Sequence, residues 1–201
     1  MHLDVRREQV LDAALRLVAH DGYAAATMEA VAREAQLAKP RVYAAYPGRG
    51  PLLMALLERE EKRWVNALAE AMPAFTDEAD FDDTSVAAAT NLLSAVAANP
   101  DGSRLLLLPT HDAPEEVRGH IEVGREFALN NLRALLSWGR ERRPGLAELD
   151  LELTAQSLLA MGEHAARLVL VNPDEFSPER YGKFARGLLA ILGPATVAPS
   201  E

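Results

Sequence analysis

Between Thr27 and Arg49 the chain gathers side chains suited to holding anions and reading the edges of bases. Thr27 and Tyr43 bring hydroxyls; Lys39, Arg41 and Arg49 bring fixed cations. From Arg33 to Arg49 there are four basic residues and one acidic residue, Glu34, in a chain whose net charge is −9. That local reversal of sign marks a surface for a polyanion. Lysine or arginine can pair with O6 and N7 of guanine, so Lys39 and Arg41 are the candidates for base contact. Either could hold phosphate instead, and the sequence leaves the two cases open. Tyr43 can rest its ring on the protein while its hydroxyl reaches the phosphate backbone, with a plain core tyrosine as the alternative. Thr27 and Arg49 stand where helices begin, and helix N-termini favour phosphate.

These residues need two short helices and a tight turn to present them. Thr27 is a good N-cap, and Glu29 suits the positive end of the helix that follows. Met28, Val31, Ala32 and Ala35 recur at helical spacing. Gln36, Leu37 and Ala38 make the turn, with Leu37 tucked between the helices. Pro40 belongs in a first helical turn, and Pro47-Gly48 ends the second helix, Pro40–Tyr46. Val42 and Ala45 face inward, which leaves Lys39, Pro40, Arg41, Tyr43 and Ala44 for the outer side. The pattern is a helix-turn-helix, which lays its second helix in the major groove of DNA.

Thr27, Val31, Ala32, Ala35, Leu37, Val42, Tyr43, Tyr46, Arg49 and Leu52 also fill the places of a known pattern. The stretch resembles the DNA-binding domain of the TetR family of one-component bacterial transcriptional regulators. The resemblance implies a packing role for Tyr46, a homodimer, and an effector pocket in the C-terminal helices. Four residues depart from the pattern. Gln36 stands for the turn glycine, Ala38 for the capping serine, Pro40 for a frequent glycine and Arg49 for lysine. Gln36 is expected in the left-handed conformation, which only glycine visits freely. Pro40 biases Lys39 away from helical geometry, so the second helix is expected to start one residue late.

The remaining composition sets the frame. The 201 residues are 49% apolar and 5% aromatic. No stretch alternates as a strand would, so the fold class is all-α, with about nine helices. There is no cysteine, which excludes disulfides and thiolate metal sites and fits a cytoplasmic protein. The N-terminus has no signal-peptide pattern, and no apolar run is long enough to span a membrane. Residues 1–72 carry ten basic and ten acidic side chains, so the whole negative surplus lies beyond them. Five scattered histidines show no metal-ligand spacing, and there is no phosphate loop, nucleophile motif or paired-carboxylate motif. No enzyme activity, cofactor or metal is expected.

A first helix from Val5 to His20 completes a three-helix N-terminal domain, 1–48. Arg6 and Arg7 near its start are either DNA contacts or solvated charges. A helix over 49–72 links to the rest, with Leu53, Leu56, Leu57, Trp64 and Leu68 on its apolar side and Glu58, Glu60, Glu61, Lys62 and Arg63 on its wet side. A loop over 73–83 precedes a C-terminal domain, 73–201. There Thr84 caps a helix to Asn99, residues 99–102 form a turn, and 103–108 form a short helix. A long helix runs from Pro114 to Arg143, and the last two cover 150–171 and 178–192. Leu105, Leu106, Phe127, Trp138, Met161 and His164 are the candidate lining of an effector pocket, suited to a hydrophobic or aromatic molecule; they read equally well as ordinary core. Ala155, Gly162, Ala166, Tyr181, Phe184 and Leu188 are the candidate dimer interface. The expected function is a ligand-responsive repressor that binds a palindromic operator as a homodimer. The alternative is an α-helical protein-interaction module whose helix-turn-helix no longer reads DNA.

Overall fold

A computed structural model describes residues 3–71, 76, 78–107 and 113–191. Ten α-helices and one 3-10 turn account for the regular structure described, and no strand occurs among these residues. The helices are α1 Leu3–Asp21, α2 Met28–Glu34, α3 Lys39–Ala45, α4 Arg49–Ala71, α5 Phe81–Ala98, α6 Pro100–Leu107, α7 Glu115–Arg140, α8 Pro144–Ala147, α9 Leu151–Val171 and α10 Pro178–Ile191, with the 3-10 turn at Tyr23–Ala25. No described helix is long and apolar enough to cross a membrane. The start of the expected 73–83 loop, the closure at Leu108-Pro109, the Leu68 side chain and the tail from Gly193 lie outside the described residues.

The chain divides into two compact units, one of Met1–Asn66 with Asn99–Glu122, the other of Ala67–Ala98 with Val123–Glu201. The first unit is built on one core. Val10, Ala13, Ala14 and Val18 of α1 meet Val31 and Ala32 of α2, Val42 and Ala45 of α3, and Leu52, Leu53, Leu56 and Leu57 of α4. Leu105, Ala113 and Val117 join the same core. Each fully buried Leu or Val contributes about 1.5–3 kcal/mol. Tyr23 is buried, and its hydroxyl donates to the Leu105 carbonyl at 3.4 Å.

A buried carboxylate also organises this unit. Glu60, expected on the wet side of α4, is fully buried. It accepts from Arg59 (2.8 Å), Arg63 (3.0 Å) and Asn99 (3.2 Å). Arg59 in turn donates to Glu8 and Asp12 of α1 at 2.9 and 2.7 Å. Burial disfavours the Arg59 cation, but Glu60, Glu8 and Asp12 outweigh it and raise its pKa. A Cβ on Gly102 would lie 2.6 Å from Glu60 Oε2, so only glycine lets α6 come this close. Residues 99–102 are therefore not a free turn. Asn99 caps α6 by accepting from the Gly102 N–H, and Pro100 occupies the first helical position, where it loses no hydrogen bond.

In the second unit α5 packs against α9 and α10. α5 begins at Phe81, three residues before the expected Thr84 cap. Asp80 is the cap, accepting from the Asp83 N–H at 2.8 Å, while Thr84 is buried. Phe81 stacks on Trp138 with ring centroids 5.5 Å apart and fills the space a Cβ on Gly139 would need. Arg143 is buried and donates to Asp82 (2.8 Å) and to the Leu189 carbonyl (2.6 Å). Burial raises the Asp82 pKa even with that cation beside it.

Candidate nucleic-acid interface

The helix-turn-helix forms for local reasons. The Thr27 hydroxyl accepts from the Ala30 N–H at 3.1 Å and starts α2. At the other end Gln36 has φ 54°, the left-handed conformation expected of it. The Gln36 N–H donates to the Arg33 carbonyl (3.1 Å) and the Leu37 N–H to the Ala32 carbonyl (2.9 Å). This pair of bonds is the Schellman closure of a helix, made here without glycine. Leu37 then packs against the core, as expected. α3 starts at Lys39 with Ala38 as an extended N-cap, so the helix is not delayed by Pro40. It ends at Ala45, and Tyr46 is already extended.

Three side chains of α1 hold the motif from behind. Arg7 donates to the Ala45 carbonyl at 3.3 Å and lies over the Tyr46 ring, 5.5 Å from its centroid. Gln9 donates to the Ala35 carbonyl at 2.8 Å, and Arg16 pairs with Glu34 at 2.7 Å. Burial raises the pKa of Tyr46, consistent with its packing role. Arg7 is thus engaged with the end of α3. Nothing in the sequence distinguished it from a solvated charge.

The outer side of α3 is as expected. Lys39, Pro40, Arg41, Tyr43 and Ala44 are exposed, while Val42 and Ala45 are buried. Tyr43 is 51% exposed, which removes the reading of it as a core tyrosine. Thr27 is exposed, and its hydroxyl hydrogen stays available after the oxygen has capped α2. Arg49 differs. Its Nε donates to the Ala26 carbonyl (3.1 Å) and its Nη2 to the Tyr23 carbonyl (2.6 Å). It ties the 3-10 turn to the start of α4. The Lys39 ammonium lies 2.7 Å from Glu29 of α2.

The candidate pocket residues fall in both units, Leu105 and Leu106 in the first and Phe127, Trp138, Met161 and His164 in the second. Leu105 is core of the first unit, with Leu106 packed against that core. Trp138 packs on Phe81 and under Arg142 in the second unit. Phe127, Met161 and His164 are exposed. Apolar lining and apolar core carry the same sequence signal. Ala155 and Ala166 of α9 are packed inside. Both are buried within the protomer, where small residues on α9 let neighbouring helices approach. Phe184 and Leu188 of α10 are exposed, Tyr181 is half-buried, and Gly162 faces open space. A shallow depression of about 200 Å³ lies between Phe176, Arg180, Tyr181 and Phe184.

A short helix with cations and a tyrosine on its outer side, held by a capped partner helix, defines a helix-turn-helix DNA-binding protein. Residues 10–56 match the family described as bacterial regulatory proteins, tetR family. The chain is 27% identical over 169 residues to the HTH-type transcriptional activator FasR of Mycolicibacterium smegmatis, covering 84% of this chain and 74% of that protein. It shares its fold with a TetR-like transcriptional regulator from Rhodococcus sp. RHA1, with TM-score 0.78 and 23% identity over 96% of this chain and 100% of the other. The regulator FadR of Bacillus subtilis, solved with stearoyl-CoA, gives TM-score 0.69 and 18% identity over 90% of this chain and 96% of the other. Residues 10–56 carry a TetR-type DNA-binding domain, and the chain as a whole has the fold of TetR-like regulators.

Proposed function

We propose that this protein is a cytoplasmic repressor that binds a palindromic operator as a homodimer and leaves it when a hydrophobic or aromatic effector binds. The observation that carries the reading is the outer side of α3, where Lys39, Pro40, Arg41, Tyr43 and Ala44 are all exposed over a buried Val42 and Ala45. One helix of seven residues reaches few base pairs. Two copies related by a two-fold axis read half-sites roughly 34–36 Å apart or a multiple of that. α10 supplies a face for the second copy. Phe184, Leu188 and Ile191 stand at i, i+4 and i+7 and are all exposed, Ile191 at 79%. Residues 1–48 act as the reading head, the helix over 49–72 as the link, and 73–201 as the effector-binding and dimerisation part.

The stearoyl-CoA in FadR supports an effector with a long apolar part. The effector acts by preferring a spacing of the two heads that the operator does not accept; a molecule without that preference would shift nothing. A second reading, activation, is favoured by the relative FasR, which is an activator. Transcription in vitro from the DNA flanking the protein's own gene, with and without the protein and stearoyl-CoA, tests the proposal. Repression relieved by the acyl-CoA is the expected result. A rise in transcript on adding the protein selects activation, and no binding to any neighbouring intergenic DNA defeats both.

A further inference from the structure

Lys39 and Arg41 are both exposed on α3, yet they are placed differently. Residues two positions apart in an α-helix lie about 200° apart around its axis, so the two cations leave the helix on opposite flanks and address different features. Lys39 is the first residue of α3, at the positive end of the helix dipole, where a cation is unfavourable. Neither an acidic residue in the first turn of α3 nor a side-chain cap from Ala38 relieves it. Relief comes from the neighbouring helix, because Glu29 Oε1 lies 2.7 Å from Lys39 Nζ. Lys39 beside it also holds the Glu29 carboxyl below the usual range. Arg41 makes no ion pair among the described residues. Both stand in the N-terminal half of the helix, the part from which such helices reach base edges, so it is the lack of an ion pair that separates Arg41 from Lys39.

We infer that Arg41 is the base-reading cation, and that Glu29 straps Lys39 across the turn, holding it as a positioning residue and taxing its pull on phosphate. The inference rests on the DNA-binding function proposed above. Glu29 and Lys39 are both exposed, so the strap is worth no more than about fivefold in an equilibrium constant per subunit. A dimer carries two, and their release adds roughly two phosphate contacts, which steepens the log–log salt slope by about two. The term is independent of sequence, so it changes affinity without changing discrimination.

The test uses the full-length protein and two duplexes of equal length: one enriched by the wild type from a random library, one of scrambled sequence. Glu29→Gln, Lys39→Met, their double variant and Arg41→Ala are compared over a salt series. Arg41→Ala is expected to lose discrimination between the duplexes by about tenfold or more. Glu29→Gln is expected to bind both duplexes about tenfold more tightly, with the steeper slope. Lys39→Met should leave discrimination intact and cancel the gain in the double variant. The inference is overturned if Lys39→Met loses the discrimination and Arg41→Ala keeps it. It is equally overturned if Glu29→Gln leaves affinity and slope unchanged. An NMR titration of the Glu29 carboxyl needs no DNA, and an unchanged midpoint in Lys39→Met refutes the strap alone. Wild type that enriches no duplex from the library refutes the proposed function itself and the reader assignment with it.

Discussion

Replacing Gln36 by glycine should stabilise the protein and leave its DNA-facing surface unaltered. Gln36 sits at φ 54°, where an L-residue pays roughly 1–2 kcal/mol for the crowding of its Cβ. Its side chain is exposed and makes no described hydrogen bond, so removing it sacrifices little packing. The two backbone bonds of the turn, Gln36 N–H to Arg33 and Leu37 N–H to Ala32, do not depend on the side chain. Against the gain stands the greater freedom of glycine in the unfolded chain, about 0.5–1 kcal/mol. The balance is a stabilisation of about 0.5–1 kcal/mol, or roughly 2–4 °C in melting temperature for each kcal/mol in a chain of this size. Thermal melts followed by far-ultraviolet circular dichroism read it, and DNA affinity should stay level. A Gln36→Gly protein that melts lower than wild type would show that the left-handed residue is not strained, and the physical account of this turn would be wrong. Gln36→Val is the converse, with a β-branched side chain at the same φ, and should melt lower than wild type.

Other substitutions probe the cores. Glu60→Ala strips a buried carboxylate from Arg59, Arg63 and Asn99 and should cost about 3–5 kcal/mol in urea unfolding, against a smaller loss for Glu60→Gln, which keeps the shape and part of the bonding. Gly139→Ala drives a methyl into the Phe81 ring and should cost at least about 1–3 kcal/mol, read by the same denaturation and by a change in the Trp138 fluorescence. Arg133 donates to both oxygens of Glu152 and draws that carboxyl down from 4.5 to about 2. A carboxyl whose folded pKa is lowered adds stability above its unfolded value and loses it as pH falls from about 4.5 through about 2. Arg133→Met should move the Glu152 midpoint in an NMR titration up toward 4.5, short of it by what the Gln156 hydrogen bond still supplies, and raising the salt should weaken the effect in the wild type because the pair is exposed.

The helix-turn-helix was legible because its signals are local. Thr27 needs only the next three residues to cap α2, Pro40 can sit only in a first turn, and the turn position forces Gln36 into a left-handed geometry whatever surrounds it. What stayed hidden depends on distant partners. Glu60 reads as solvated among Glu58, Glu61 and Lys62, and only Asn99 and the missing side chain of Gly102, some forty residues on, make its burial possible. The run DEADFDD offers several caps for α5, and the packing of Phe81 against Trp138 and Gly139 decides for Asp80. Ala155 and Ala166 signal close approach without saying whose helix approaches, and their own protomer buries both. Arg7 and Arg49 give no local sign that their guanidinium groups donate to backbone carbonyls 23 to 38 residues away.

The most direct test of the account is the salt dependence of DNA binding by the wild type and by the double variant Arg41→Ala, Tyr43→Phe. Charged contacts from both subunits predict an affinity that falls steadily as salt rises, and the double variant should lose operator binding while keeping the wild-type melting temperature. Wild-type affinity that does not change with salt, or a double variant that binds as the wild type does, would contradict the assignment of α3 as the helix that reads DNA.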